Sequence, residues 1–204
     1  MKLLKANINI VDRTPIIPVL SNQGIALSLN SPPLLYCIAI SITIITRKCM
    51  AYWLFKTEPN AFSIDDLNSR PDQTEPWDGV RNYQARNFLR DKVAVGDQVF
   101  IYHSSCKIVG IAGVAEVVKA GSPDETQFNP ESNYYDPKST RENPRWFRVD
   151  VKFVEKFESV LPLSVIKAMP NITEIGLVKK GGRLSIMPVE ETEWQQLYTT
   201  AKMN

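Results

Sequence analysis

Histidine and cysteine are scarce in this 204-residue chain. His103 is the single histidine. The three cysteines, Cys37, Cys49 and Cys106, are odd in number and show no C-x-x-C spacing. Structural zinc needs several nitrogen or sulfur ligands at short spacings, and a disulfide framework needs paired thiols, so neither organises this fold. Free thiols fit a reducing compartment: the cytoplasm, or the nucleus of a eukaryote. A lone histidine without an acid at a supporting spacing gives no legible triad. The glycine pair in "KKGGR", 179–183, lacks the spacing of a phosphate loop and opens no helix. No metal, cofactor or catalytic residue is therefore expected.

A long apolar run is missing as well. "LLYCIAISITIIT", 34–46, is 13 residues, against the about 20 that a membrane-spanning helix needs. Its positive charges, Arg47 and Lys48, follow it rather than precede it, which is the wrong order for a signal peptide. Its β-branched residues read as a strand or an aggregation-prone segment. No membrane association is expected, and the chain is read as a monomer.

An excess of positive charge is missing from the body. The formal net charge is +2, but residues 1–49 hold Lys2, Lys5, Arg13, Arg47 and Lys48 against Asp12 alone. The other 155 residues carry 19 basic and 21 acidic side chains, a net of −2. Contact with nucleic acid must then come from a local patch and a pocket, not from bulk attraction.

What is present is a globular composition, 44% hydrophobic and 23% charged, of a size for one ordinary domain with some surplus. The surplus is residues 1–49, which are rich in breakers and end just before Met50. Met50 directly precedes a strand-like run and is expected to be the natural start, with residues 1–49 an upstream extension outside the fold; the domain is placed at 50–201.

Along that body, "AYWLFKTEP" reads as a strand ended by Pro59. Ser63 is placed to cap a short helix over "IDDLNS". "NYQARNFLRDKV" spaces its apolar residues as an amphipathic helix capped near Asn82. "DQVFIYHS" and "IVGIAGVAEVVKA" read as a hairpin with a short turn around 105–107. The breaker-rich segment 121–144 is long for a compact domain, and its two tyrosines argue for an ordered part. "RWFRVDVKFVEKF" alternates as a strand, "PLSVIKAM" is a short helix, "GRLSIMPV" a last strand and "VEETEWQQLYTTA" a C-terminal helix. With few helical crossovers between strands, the fold class is α+β: a small, mostly antiparallel β-barrel with peripheral short helices.

Aromatic residues recur beside polar ones. Trp53 lies near Lys56; Trp77 precedes Asp78, Gly79, Arg81 and Asn82; Tyr102 precedes His103 and Ser104; Trp146 sits among Arg145 and Arg148. Aromatic faces with local cations suit a flipped-out or single-stranded base. Asp78 can accept from an exocyclic amine, and Asn82 can meet a base edge. Each tryptophan alone has an equally simple reading as core, and Lys56 and Arg81 as solvated or ion-paired surface.

Seven blocks, "YWLFKTEP", "WDGVRNYQARNFLRD", "VFIYHS", "GIAGVAEVV", "SNYYDPKS", "PRWFRVDVKF" and "GRLSIMPV", occur in an order that resembles the EVE domain family from Met50 to about Tyr198. The resemblance implies a PUA-like fold related to YTH domains. It implies a non-catalytic module that reads a modified base, chiefly modified cytosine in DNA, or a modified base in RNA. It places the pocket at Trp53 and Lys56, at Trp77, Asp78, Arg81 and Asn82, at Tyr102, His103 and Ser104, and at Arg183 and Ser185. Met187 stands where many relatives are expected to carry glutamine, so no polar contact is expected from it.

Two other readings use the same residues: an enzyme acting on nucleotides or tRNA with His103 as acid or base, and a scaffold whose aromatics are simply core. The exposure of Trp53 and Trp77 separates these from a reader. One prediction concerns residues 1–49 alone. Their deletion leaves the thermal midpoint unchanged or higher; a loss of several degrees, about 1 kcal/mol or more, would mean that they pack on the domain.

Overall fold

The computed structural model describes residues 50–204 apart from Lys180 and Gly182. The expectations for residues 1–49 lie outside the described residues.

The central strands read as unbroken apolar runs because they are buried on both faces. β1 (Tyr52–Thr57) sends Trp53 and Phe55 into one core and Leu54 into the other. β3 (Gln98–His103) does the same, with Val99 and Ile101 on the first side and Phe100 and Tyr102 on the second. These two strands pair in parallel, Trp53 opposite Val99. Burial on both faces removes the polar alternation by which a half-exposed strand is recognised.

The other ladders are antiparallel. β4 (Gly110–Pro123) joins β3 to β5 (Phe147–Pro162), and β2 (Thr74–Trp77) lies on the far side of β5. β6 (Ile186–Val189) pairs with β1. The six strands run in the order β2-β5-β4-β3-β1-β6. A mostly antiparallel sheet with short helices is thus found, but the expected barrel closure is not. Among the described residues β2 and β6 are edges, and no ladder joins them. Register shifts along β4 and β5, between Ile111 and Gly113 and again between Val117 and Lys119, bend the long hairpin instead of closing it. β2 had no strand signal in sequence. It is four residues long and contains Pro76, which an edge strand tolerates because one side needs no N–H donor.

α1 (Ile64–Ser69) starts in a capping box: the Ser63 hydroxyl accepts from the Asp66 N–H at 3.1 Å, and the Asp66 carboxylate accepts from the Ser63 N–H at 2.7 Å. α2 (Tyr83–Asp91) is capped by Asn82 as expected and lays Ala85 and Leu89 on the first core. α3 (Leu163–Ala168) and α4 (Glu191–Met203) cover the second core, where Trp194 stacks on Phe100 with centroids 3.7 Å apart. No helix among the described residues is long and apolar enough to cross a membrane.

Asp97, 1% exposed, ties the start of the domain to the turn before β3. Its carboxylate accepts from the Ala51 N–H at 3.1 Å, the Ala94 N–H at 2.9 Å and the Trp53 indole N–H at 2.9 Å. Asp97→Ala leaves these donors without an acceptor, each worth about 1–3 kcal/mol when stranded. Urea denaturation should show a loss of about 3 kcal/mol or more; a loss below about 1 kcal/mol would mean that water replaces the carboxylate.

Candidate functional site

A cavity of about 860 Å³ opens on the first-core side of the sheet. Its walls come from the end of β1 and the turn after it, the end of β2 with residues 78–82, Ser104 just after β3, Tyr134, and Arg183 with Ser185 before β6. Of the residues expected to bind a base, Lys56, Trp77, Asp78, Arg81, Asn82, Ser104, Arg183 and Ser185 all line it. Lys56 and Ser185, 129 positions apart in sequence (185 − 56), are therefore brought to one opening.

Trp53, Tyr102 and His103 do not line the cavity. Trp53 is 4% exposed, with its indole N–H held by Asp97. Tyr102 faces the second core, on the other side of the sheet. His103 is buried, and its Nε2 accepts from the Ile64 N–H at 3.1 Å. That bond uses the lone pair a general base would need, and burial pushes the imidazole below its usual value. His103 thus holds the first turn of α1. Met187 is buried in the second core, so this position has no access to the cavity.

Trp77 is both core and floor. It is 7% exposed and packs against Phe55, with centroids 5.4 Å apart, and edge-on against Phe62 at 6.2 Å. Asp78, the next residue, turns to the rim and is exposed. Burial of its surroundings, and then repulsion from Asp124, push its carboxyl above the usual range.

Arg81 pairs with Asp124 at 2.7 Å. Its Nε–H donates to the Tyr134 carbonyl at 2.9 Å. One terminal nitrogen donates to Asp124 and, at 3.3 Å, to the Val80 carbonyl; the other donates to the Thr126 hydroxyl at 2.9 Å and to the Tyr134 carbonyl. A guanidinium has five N–H donors, and this set occupies them. These bonds give Arg81 a structural role in the cavity wall.

Asp124, fully buried, was not legible in sequence as a site residue. One carboxylate oxygen accepts from Arg81 and, at 3.0 Å, from the Gly79 N–H; the other accepts from the Thr126 N–H at 2.9 Å and the Thr126 hydroxyl at 2.6 Å. Burial alone would raise its carboxyl, but the Arg81, Thr126 and Gly79 hydrogen bonds outweigh it and hold the group below the usual range. The effect is to fasten residues 79–81 to the segment after β4.

That segment supplies the aromatic wall that sequence reasoning missed. Tyr134 is 46% exposed and lines the cavity. Its ring lies over Gly79 so closely that a Cβ there would meet Cζ at 2.7 Å. Gly79 also has φ +72°, so this glycine is needed for the turn and for the approach of a side chain. The guanidinium of Arg81 sits 5.3 Å from the Tyr134 ring centroid and 5.4 Å from that of Trp146. Buried Gln127 fixes the far side, its carboxamide bonded to the Trp146 N–H at 2.9 Å and to the Trp146 carbonyl at 2.9 Å. The available signal was the pair of tyrosines in a long loop; which one turns inward is set by Arg81.

The remaining polar groups divide into used and unused. Asn82 spends its carboxamide oxygen capping α2, accepting from the N–H groups of Gln84 and Ala85 at 2.9 and 3.0 Å, so only its NH₂ is left to meet a base. Ser104 donates to the Thr57 carbonyl at 3.1 Å. Lys56 lies 5.8 Å from the Tyr102 ring centroid, and burial alone pushes its ammonium below the usual range. Among the described residues it pairs with no carboxylate. No group of His, Cys, Asp or Glu among them is arranged to hold a metal ion. Chemically, the cavity offers an apolar floor, an exposed aromatic ring and a carboxyl at the rim, with Lys56 contributing to its wall.

Comparison with known proteins agrees with the seven sequence blocks. A family model described as EVE domain matches residues 51–200. Human thymocyte nuclear protein 1 is 41% identical over 169 residues, which are 73% of this chain and 75% of the relative. A crystal structure of a Pseudomonas syringae protein superposes with a TM-score of 0.71 at 47% identity, covering 74% of this chain and 99% of that one. The human THYN1 protein in complex with DNA containing 5-methylcytosine superposes with a TM-score of 0.69 at 40% identity, over 74% of this chain and 98% of that one.

The Arg81–Asp124 pair makes the Tyr134 wall testable. Asp124→Asn takes the counter-charge from a partly buried guanidinium, a change expected to cost about 2–3 kcal/mol, less than for a fully buried pair. Denaturation should show a loss of that order, with faster hydrogen exchange over residues 78–81 and 132–136. Unchanged exchange there would mean that the wall stands without the pair.

Proposed function

The chain belongs to the EVE domain family, and we propose that it is a non-catalytic reader of a modified base in nucleic acid, with modified cytosine in DNA as its first target. The observation that carries this reading is the cavity between the Trp77 floor and the exposed Tyr134 ring. Its volume of about 860 Å³ lies within the range of small-molecule sites, about 300–1,000 Å³. A flipped base has two faces to stack and one edge to read. Tyr134 takes a face, Asp78 accepts from the exocyclic amine, and Lys56 and Arg183 supply donors to acceptor atoms or to a phosphate. The human relative's complex with 5-methylcytosine DNA supports DNA as the partner; a modified base in RNA meets the same chemistry and is separated by experiment.

The enzyme reading has no observation in its favour. Its one candidate acid or base, His103, is held in a hydrogen bond away from the cavity.

The floor and the wall respond differently to mutation. Trp77→Ala empties a core position and destabilises the domain by about 3–5 kcal/mol, so it is a poor test of stacking. Tyr134→Ala removes a half-exposed ring. Fluorescence anisotropy with labelled oligonucleotides carrying one 5-methylcytosine or one cytosine, as duplex DNA, single-stranded DNA and RNA, should show tighter binding of a modified form. Tyr134→Ala should weaken that form by about 1–3 kcal/mol, the worth of one base–aromatic stack, with the melting temperature kept. With a body of net −2, fewer than about four phosphates are neutralised, so the log-affinity against log-salt slope is shallower than about −4. Equal affinity for modified and unmodified forms of every oligonucleotide would end the reader proposal.

A further inference from the structure

We infer that the exposed start of α2, Tyr83 with Arg86, seats a backbone phosphate of the strand that flanks the captured base. The inference rests on the reader proposal for its ligand, but on a separate set of residues for its geometry.

The Trp146 ring is the hinge of the argument. Arg81, in the cavity wall, lies 5.4 Å from its centroid. Tyr83 stacks on the same indole with centroids 5.0 Å apart and an interplanar angle of 29°. The Arg86 guanidinium is 5.9 Å from the Trp146 centroid and 5.1 Å from that of Tyr83. The Tyr83–Arg86 step is therefore one indole ring away from the cavity wall. Tyr83 is 51% exposed, unusual for a ring so well placed to be covered.

Arg86 differs from the arginines around it in lacking a counter-charge. Arg90 pairs with Asp91 at 2.7 Å and Arg145 with Asp136 at 3.2 Å. Arg86 meets no carboxylate within 4.0 Å among the described residues. It donates to the Arg145 carbonyl and, at 2.8 Å, to the Asn87 side-chain oxygen, which leaves N–H groups of its fork unused. Partial burial and the like charges of Arg90 and Arg145 act against its cation, and the more distant charge of Asp91 and the Tyr83 hydroxyl offset only part of this. A planar fork with free donors and no anion of its own is suited to bidentate binding of a phosphate. The adjacent cavity identifies the source: a base inserted there brings its flanking phosphates across the Trp146 edge. The Trp146 and Arg145 cluster, which the cavity alone does not explain, then positions this seat.

The test uses the full chain and duplex DNA with one 5-methylcytosine, in anisotropy titrations over a potassium chloride series. Arg86→Gln should lower affinity about three- to tenfold for modified and unmodified DNA alike, and reduce the magnitude of the log–log salt slope by about 0.9, the value of one phosphate contact. Arg86→Lys should keep the wild-type slope. As a second measurement that needs no variant, phenylglyoxal modification read by mass spectrometry should show Arg86 protected when DNA is bound. An unchanged slope in Arg86→Gln, or equal modification with and without DNA, would overturn the phosphate seat. Loss of discrimination by Tyr134→Ala with the Arg86 effects intact supports both proposals. Intact Arg86 effects without any preference for the modified base would leave the seat standing and remove the reader.

Discussion

The ion pair between the partly buried Arg81 and the fully buried Asp124 is the constraint on which the candidate site depends. Removing two charges from water is expensive, and their mutual attraction offsets the cost only when every remaining donor and acceptor is also satisfied. Here the guanidinium spends its donors on Asp124, Thr126, Val80 and Tyr134, and the carboxylate accepts in addition from Gly79 and Thr126. The pair joins the loop after β2 to the segment after β4, two stretches more than forty residues apart. Without it the Tyr134 carbonyl loses its guanidinium donors, and the aromatic wall loses its tie to the loop after β2.

Gly79 is the geometric counterpart of that pair. Its positive φ turns the chain between Trp77 and Arg81, and its missing side chain admits the Tyr134 ring. The sequence shows why a glycine belongs between Trp77 and Arg81, since a tight turn there needs left-handed backbone. It does not show what approaches that turn. What approaches it is a tyrosine from the same chain.

Much of the fold was legible because local rules suffice for it. Ser63 and Asn82 cap the helices that their positions foretell, and the hairpin of β3 and β4 follows from two apolar runs around a short turn. Three features were not legible, each for a physical reason. The parallel pairing of β1 with β3 is a long-range contact between strands buried on both sides, which carry no facing pattern. β2 is short and contains a proline. That the sheet stays open, with bulges bending β4 and β5, is announced by no residue type. At the site, the contiguous "WDGVRN" residues converge as expected because a single turn holds them. Trp53, Tyr102 and His103 were misplaced because alternation along a strand sends neighbours to opposite faces, and their partners, Asp97 and Ile64 among them, are distant in sequence. Asp124 and Tyr134 were missed for the same reason in reverse: an ordinary loop aspartate and tyrosine acquire their roles only through Arg81.

The cavity's inventory of unused groups is what separates a reader from a scaffold. A fully structural cluster would pair all its charges, as Arg81 and Arg70 are paired. Among the described residues Lys56 and Asp78, which both line the cavity, pair with no opposite charge, and an exposed tyrosine lines it with them. The most direct measurement is a crystal structure of the full chain with duplex DNA containing one 5-methylcytosine. The account predicts an extrahelical base in the cavity, its ring against Tyr134 and its amine edge toward Asp78. A complex in which the methylated base stays stacked in the duplex, or enters the protein elsewhere, would contradict it.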